Sequence, residues 1–359
     1  MTMWRHFVHG ATRPSVAALW GTLGVLLFWA ACAACFVRPS VLGGLDPGYF
    51  ARTDTDDFGH LTGTLFGLHS RPAPPLSLTL VGASATRESV DDERRLASAL
   101  STEVGAEVEV VDLTAGALTL WEMIGALDVL PTGSRGVVVL GIGPRTMATG
   151  TDRLKELLEA PRLGLDGESL LDEIRRAGLT EPRRTGLWVY DHAQFFLSHV
   201  YCFARVFLGP AALLRHRYTG HRAATDVRQG ALDERLRDTM QVYFENADEN
   251  FARLERLISR VRVPGRLEVV LLLAPMNPSR SAGLYDERAT SDFKVRLEGL
   301  SQKLGVELWA LDGEAALGAD DFFDSVHLRS ADGQRRYTDR LIARLRAPLR
   351  STSAEAFRR

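Results

Sequence analysis

The stretch Leu76-Ser77-Leu78-Thr79-Leu80-Val81-Gly82-Ala83-Ser84-Ala85-Thr86-Arg87-Glu88 decides the reading of this chain. An apolar run of strand length gives way to small residues and then to a helical pattern, the signature of a strand entering a helix through a tight turn. The same alternation recurs downstream. Short apolar runs at 76–81, 106–112, 136–141, 267–274 and 307–311 predict strands. Amphipathic stretches at 88–100, 118–130, 232–261, 291–304 and 330–345 predict the helices between them. The third and fourth strands are almost continuously apolar, as strands covered on both faces must be. The expected fold is therefore α/β, a three-layer α/β/α domain on a five-stranded parallel sheet.

Outward from this core the chain divides into segments. Residues 16–37 run for 22 positions without a charge between Arg13 and Arg38, enough to span a bilayer core of roughly 30 Å. The competing reading is a cleaved secretory signal, but its apolar core is normally only about 7 to 15 residues. Arg5 and Arg13 precede the span with no acid among them, whereas Asp46, Asp54, Asp56 and Asp57 follow it. Arg38 and Arg52 nearly balance the positive-inside count; the expected topology is residues 1–15 as a cytoplasmic tail, with the bulk outside a bacterial inner membrane. Residues 38–75, rich in Gly, Pro, Asp and Thr, are expected to be a tether with little regular structure. Residues 76–349 form the domain, with an insertion at about 144–230, and 350–359 a tail.

The insertion contains the apolar stretch 195–214, broken by Gly209-Pro210 and carrying His199 and Arg205. A second span is disfavoured by that arginine. A buried helix and an interfacial or partner-docking helix both stay open, the latter supported by Arg215, His216, Arg217, His221 and Arg222 just after it.

Composition excludes several functions. The chain has 359 residues, 45% hydrophobic and 25% charged, with a net charge of -2, so no basic field recruits nucleic acid. Three cysteines supply no disulfide framework, and the Cys32-Ala-Ala-Cys35 pair lies inside the apolar span, where small-residue packing explains it. There is no Walker loop, dinucleotide fingerprint or metal-spaced His/Cys constellation, and no cofactor or metal is expected.

The chemistry is carried by two short segments. Ser84 follows the first strand, where its hydroxyl lies at the carboxyl end of the sheet beside helix N–H groups able to hold an oxyanion. A plain N-cap serine is the alternative. Near the other end of the chain, Asp324-Ser325-Val326-His327 lets a carboxylate accept from one imidazole nitrogen while the other takes a proton from serine. Asn277, in Leu273-Ala274-Pro275-Met276-Asn277-Pro278 after the fourth strand, either contacts substrate or shapes the turn before Pro278.

These blocks resemble those of the SGNH or GDSL hydrolase superfamily over about 76–349. Gly82-Ala83-Ser84 is similar to its Gly-Asp-Ser block, with Ala in place of Asp, and Asp324, His327 and Gly333 match its last block. The resemblance implies a flavodoxin-like sheet, the triad Ser84, His327 and Asp324, and Gly116 as an oxyanion donor, unless Gly116 is a plain turn glycine. The family's Gly-x-Asn block reads Gly141-Ile142-Gly143-Pro144-Arg145 here, so Gly143 stands where an amide donor is expected. Loss of one such donor costs about 10² to 10³ in rate, unless a backbone N–H or Arg145 replaces it. The departure and the anchor together resemble the membrane-bound branch that works beside membrane-bound O-acyltransferases. That implies an acyl donor, a glycan acceptor and a partner met through 195–214 or the anchor. The expectation is a membrane-held serine acyl esterase or O-acyltransferase acting on cell-envelope or exported polysaccharide; the alternative is a catalytically weak scaffold subunit.

Overall fold

A computed structural model describes residues 16–36, 57–70, 72–159, 161–163, 167–181, 185–186, 191–192, 234, 237–280 and 286–356. Strands β1 (Ser77–Gly82), β2 (Glu109–Thr114), β3 (Gly136–Ile142), β4 (Leu267–Leu273) and β5 (Glu307–Trp309) form one sheet, ordered β2-β1-β3-β4-β5, with every pairing parallel. This is the flavodoxin-like doubly wound order, whose direction of winding reverses between β1 and β3. A crevice opens at that reversal, at the carboxyl ends of both strands.

Side chains alternate between the two faces of a strand. On β3, Val138 and Leu140 join one core and Val137 and Val139 the other, which is why this strand has no polar face. The first core packs the sheet against α2 (Asp57–Ser70), α5 (Leu120–Leu127), α9 (Tyr243–Val261) and α10 (Glu287–Leu304). The second packs it against α4 (Glu93–Val104) and α11 (Ala331–Ala356), through residues such as Leu96, Leu100, Tyr337 and Leu341. The three-layer architecture expected from the sequence is thus present.

Four boundaries differ from expectation. The stretch 38–75, read as a tether, contains α2, and Leu61, Leu65 and Leu68 bury its inner face. Gly59, Gly63 and Gly67 are interspersed with this i, i+4, i+7 pattern, so its composition is that of a linker while its spacing is helical. The helix expected at 88–100 is two, α3 (Ser84–Ser89) and α4, parted where Asp92 turns out to accept from the N–H groups of Arg94 and Arg95 as an N-cap. The helix expected at 232–261 has its long uninterrupted part only from Tyr243. The tail expected at 350–359 is helical to Ala356, because Pro348 does not stop α11; the Arg350 guanidinium donates to the Glu103 carbonyl and Thr352 is buried.

At the other end α1 (Val16–Phe36) is a 21-residue helix without a charged residue, and its described side chains, 18–28 with 30 and 31, are exposed. Those side chains cover less than a full span, and among the described residues no helix is long and apolar enough to cross a membrane. The stretch 195–214, its basic sequel and Cys202 lie outside the described residues.

The described part of the insertion contributes α6 (Pro144–Ala148), α7 (Thr151–Glu159) and α8 (Glu168–Arg176). Asn250 on α9 donates to the carbonyls of Met147 and Thr149 at 2.7 and 2.9 Å, satisfying the C-terminal end of α6. The buried Arg253 donates to Glu173 of α8 at 3.1 Å and lies over the Trp121 ring. Arg256 adds a second contact to the same carboxylate at 2.6 Å. These bonds fix α6 and α8 to the domain.

Candidate active site

Gly82 ends β1 and Gly141 lies near the end of β3, paired with it across the ladder. Neither could carry a side chain. A Cβ on Gly141 would lie 1.9 Å from Thr86 Oγ1, and one on Gly82 2.4 Å from the same atom. The two glycines form a seat into which Thr86 drops, bringing α3 down onto the strand ends and setting Ser84 at its first residue. The N-cap position belongs to Ala83, so Ser84 is not a capping serine. Its hydroxyl is turned elsewhere.

Ser84 Oγ lies 2.7 Å from His327 Nε2, and His327 Nδ1 lies 2.6 Å from Asp324 Oδ2. The other oxygen of Asp324 accepts from the backbone N–H groups of Val326 and His327 at 2.8 and 2.9 Å. Burial, at 1% exposure, pushes this carboxyl up. The His327 hydrogen bond and charge, with the two N–H donors, outweigh it and hold the group below the ordinary carboxylate range. Asp324 is therefore an anion that orients imidazole with Nδ1–H inward and a lone pair on Nε2 facing serine.

The loop that carries this pair is braced from three sides. Phe323 N–H donates to the His327 carbonyl at 2.7 Å, closing the loop on itself. Gln334 of α11 donates to the Glu88 carbonyl at 2.6 Å, tying the helix after the histidine to the helix of the serine. Asn277, only 3% exposed, donates its backbone N–H to the Ser325 carbonyl at 2.8 Å and its amide to the Asp324 carbonyl at 3.1 Å, while its side-chain oxygen accepts from Ser279 N–H. The substrate-contact reading of Asn277 is thereby corrected: its side chain is engaged on both ends behind the loop. The Asx-type bond to Ser279 agrees with the turn-shaping reading; the clasp on Asp324 had no local signal.

Ser84 and His327 open into a cavity of about 470 Å³ between the ends of β1, β3 and β4. Gly143 and Arg145 stand on its wall, at the start of α6, which places the departure from Gly-x-Asn beside the serine. Gly143 N–H reaches Thr146 Oγ1 at 3.5 Å, a long contact. On the β2 side the wall is Ala117, Leu118 and Thr119, one residue beyond Gly116. The left-handed residue of that turn is Ala117, with φ 55°, an unusual conformation for a side-chain-bearing residue. Within α3, Thr86 and Arg87 N–H groups donate to the Ala83 carbonyl, and those of Ser84 and Ala85 precede the first helical bond. Among the described residues no group of His, Cys, Asp and Glu side chains could hold a metal ion.

No known family model matches the chain, and no curated protein matches it. Among solved structures it is similar to the crystal structure of the lipase/acylhydrolase from Enterococcus faecalis, at 10% identity over 75% of this chain and 96% of that one, with a TM-score of 0.34. Likeness at that level leaves function to be read from the site itself.

Proposed function

We propose that the chain is a serine acyl hydrolase or acyltransferase of the SGNH type, in which Ser84 carries the acyl group. One observation carries this reading: a serine hydroxyl, an imidazole and a buried carboxylate in sequence at 2.7 and 2.6 Å, facing a cavity at the reversal point of the sheet. As an ester carbonyl arrives, His327 Nε2 takes the Ser84 proton and Oγ bonds to the carbonyl carbon. The oxyanion is held by Ser84 N–H, with Gly116 N–H, Gly143 N–H and Arg145 as the further candidates. Collapse of the tetrahedral adduct breaks the carbon–oxygen bond of the leaving alcohol, which receives the proton from His327. Water, or a sugar hydroxyl, then repeats the sequence in reverse and frees Ser84.

We further propose that the charge-free sequence 16–37 anchors the domain outside the cytoplasm, and that its substrates are acylated cell-envelope or exported glycans and its partner a membrane-bound O-acyltransferase; the support for substrate and partner is the resemblance of the Gly141-Ile142-Gly143 block to the membrane-bound branch. A second reading, a weak or inactive scaffold subunit, is favoured by Gly143, where no side-chain donor exists. Labelling with a fluorophosphonate separates the two. The wild-type protein is expected to label, and Ser84→Ala and His327→Ala to lose labelling; absent labelling, or labelling unchanged in both variants, refutes the catalytic reading.

A further inference from the structure

The cavity around Ser84 is larger than the triad needs. At roughly 30 Å³ for each water-sized group, its volume of about 470 Å³ accommodates about fifteen non-hydrogen atoms, room for an acyl chain of about eight carbons, the two ester oxygens and about five atoms of the leaving alcohol. An acetyl group on Ser84 Oγ would fill only a small part of it. The wall is mainly hydrocarbon: Leu118, Ala148, Val242, Ala274, Met276 and Val326 all face the space. Two wall threonines donate their hydroxyls to the chain, Thr119 to Glu122 and Thr149 to the Arg145 carbonyl. A pocket meant for sugar hydroxyls would leave such groups for the ligand. Of the charged groups on the wall, Asp238 is exposed and Arg153 pairs with Glu156, while Arg145 stands at the end near Gly143. An apolar enclosure with few polar groups at one end suits a hydrocarbon chain.

We propose that the acyl group held by Ser84 is a straight aliphatic chain of about eight carbons rather than acetyl, lying along the wall formed by Leu118, Ala148 and Val242. This rests on the acyl-serine reading above. The covalent chemistry is unchanged: the ester C–O bond breaks, the Ser84 Oγ–C bond forms, and the alcohol leaves with the proton from His327. Only the length of chain that the walls remove from water is new.

The test uses the full-length protein and p-nitrophenyl esters from acetyl to dodecanoyl, each below its micelle concentration. Each buried methylene is expected to raise kcat/KM about fourfold, the equivalent of about 0.8 kcal/mol, levelling off near octanoyl. Val242→Phe, which fills the wall, is expected to lower the octanoyl-to-acetyl ratio of kcat/KM roughly tenfold. Ala148→Val, on the same wall, gives the same readout should the larger ring prevent folding. Fluorophosphonate labelling is run on the same preparations. A series that is flat or falls with chain length, in protein whose Ser84 labels, overturns the chain-length proposal and leaves the triad standing; failure of Ser84 to label overturns both.

Discussion

Asparagine at position 324 isolates what the carboxylate charge does from what the carboxylate shape does. Asp324 Oδ1 accepts two backbone N–H groups and Oδ2 faces His327 Nδ1. Asparagine has one oxygen to offer. Two buried donors left without an acceptor would cost about 1–3 kcal/mol each, so that oxygen takes the Oδ1 place and the NH₂ group faces Nδ1. An NH₂ group is accepted only by a ring nitrogen with a lone pair, which forces the imidazole proton onto Nε2. That proton then points at Ser84 Oγ across the 2.7 Å contact, and the serine has no base. The same exchange in other serine triads lowers kcat about 10⁴-fold, equivalent to about 5 kcal/mol. Because the folded carboxyl is held below its ordinary value, its charge contributes stability above the unfolded carboxyl range of about 3.9, and this is lost as pH falls through the depressed folded value. Asp324→Asn should therefore be less stable than wild type near pH 7, with the gap closing in strong acid. Steady-state ester hydrolysis at pH 7.5 and urea unfolding near pH 7 and in strong acid check this. An asparagine variant that retains more than about a tenth of wild-type kcat would refute the tautomer argument, since it predicts a far larger loss.

Three further outcomes are expected. Asn277→Ala removes a bond to the Asp324 carbonyl without touching the cavity, so kcat should fall about tenfold with KM within about twofold; a rise in KM with kcat intact would contradict a positioning role. Gly143→Asn has an extended backbone, φ -127°, and its Cβ would meet only Ala274 Cβ at 3.5 Å, so the variant should fold and raise ester hydrolysis about 10- to 100-fold by adding an amide donor; unchanged turnover in folded protein would mean the oxyanion is already fully served. Burial raises the Asp312 carboxyl to about 6, against its hydrogen bond from Met276 N–H and the charge of Lys294. A raised carboxyl is a penalty absent below the unfolded value and fully present above the folded one. Asp312→Asn should accordingly stabilise the fold at pH 8 by about 1–3 kcal/mol and leave it unchanged near pH 3, as read by urea unfolding; a gain independent of pH would exclude titration as its cause.

The sheet was legible because its signal is local: apolar runs of strand length, with β3 and β4 lacking a polar face for the reason now visible in their two cores. Asp324 and His327 were legible for the same reason, since three residues on one loop are enough to bring carboxylate and ring together. What escaped depends on distant partners. Ser84 as an N-cap and Ser84 as a nucleophile read alike until His327 is beside it. Thr86 looked like an ordinary helical residue, and only the facing backbone of Gly141 shows what it does. The cavity was invisible because its walls come from α6, from residues 238–242 and from the ends of three strands, and no single stretch of sequence describes a volume. Leu61, Leu65 and Leu68 were readable in principle, but glycines among them suggested a linker where tertiary packing made a helix.

The bond between Ser84 and His327 joins positions 243 residues apart, the first strand–helix turn to the loop before the closing helix. Closing a contact over such a separation costs loop entropy that local contacts do not. A growing or clipped chain that ends before Asp324 holds a serine with no means of deprotonating it. On the acyl-serine proposal, the connectivity carries a completion check: acyl chemistry begins only when the loop of Asp324 and His327 has closed on the first strand–helix turn, and chains lacking that loop stay inert toward esters.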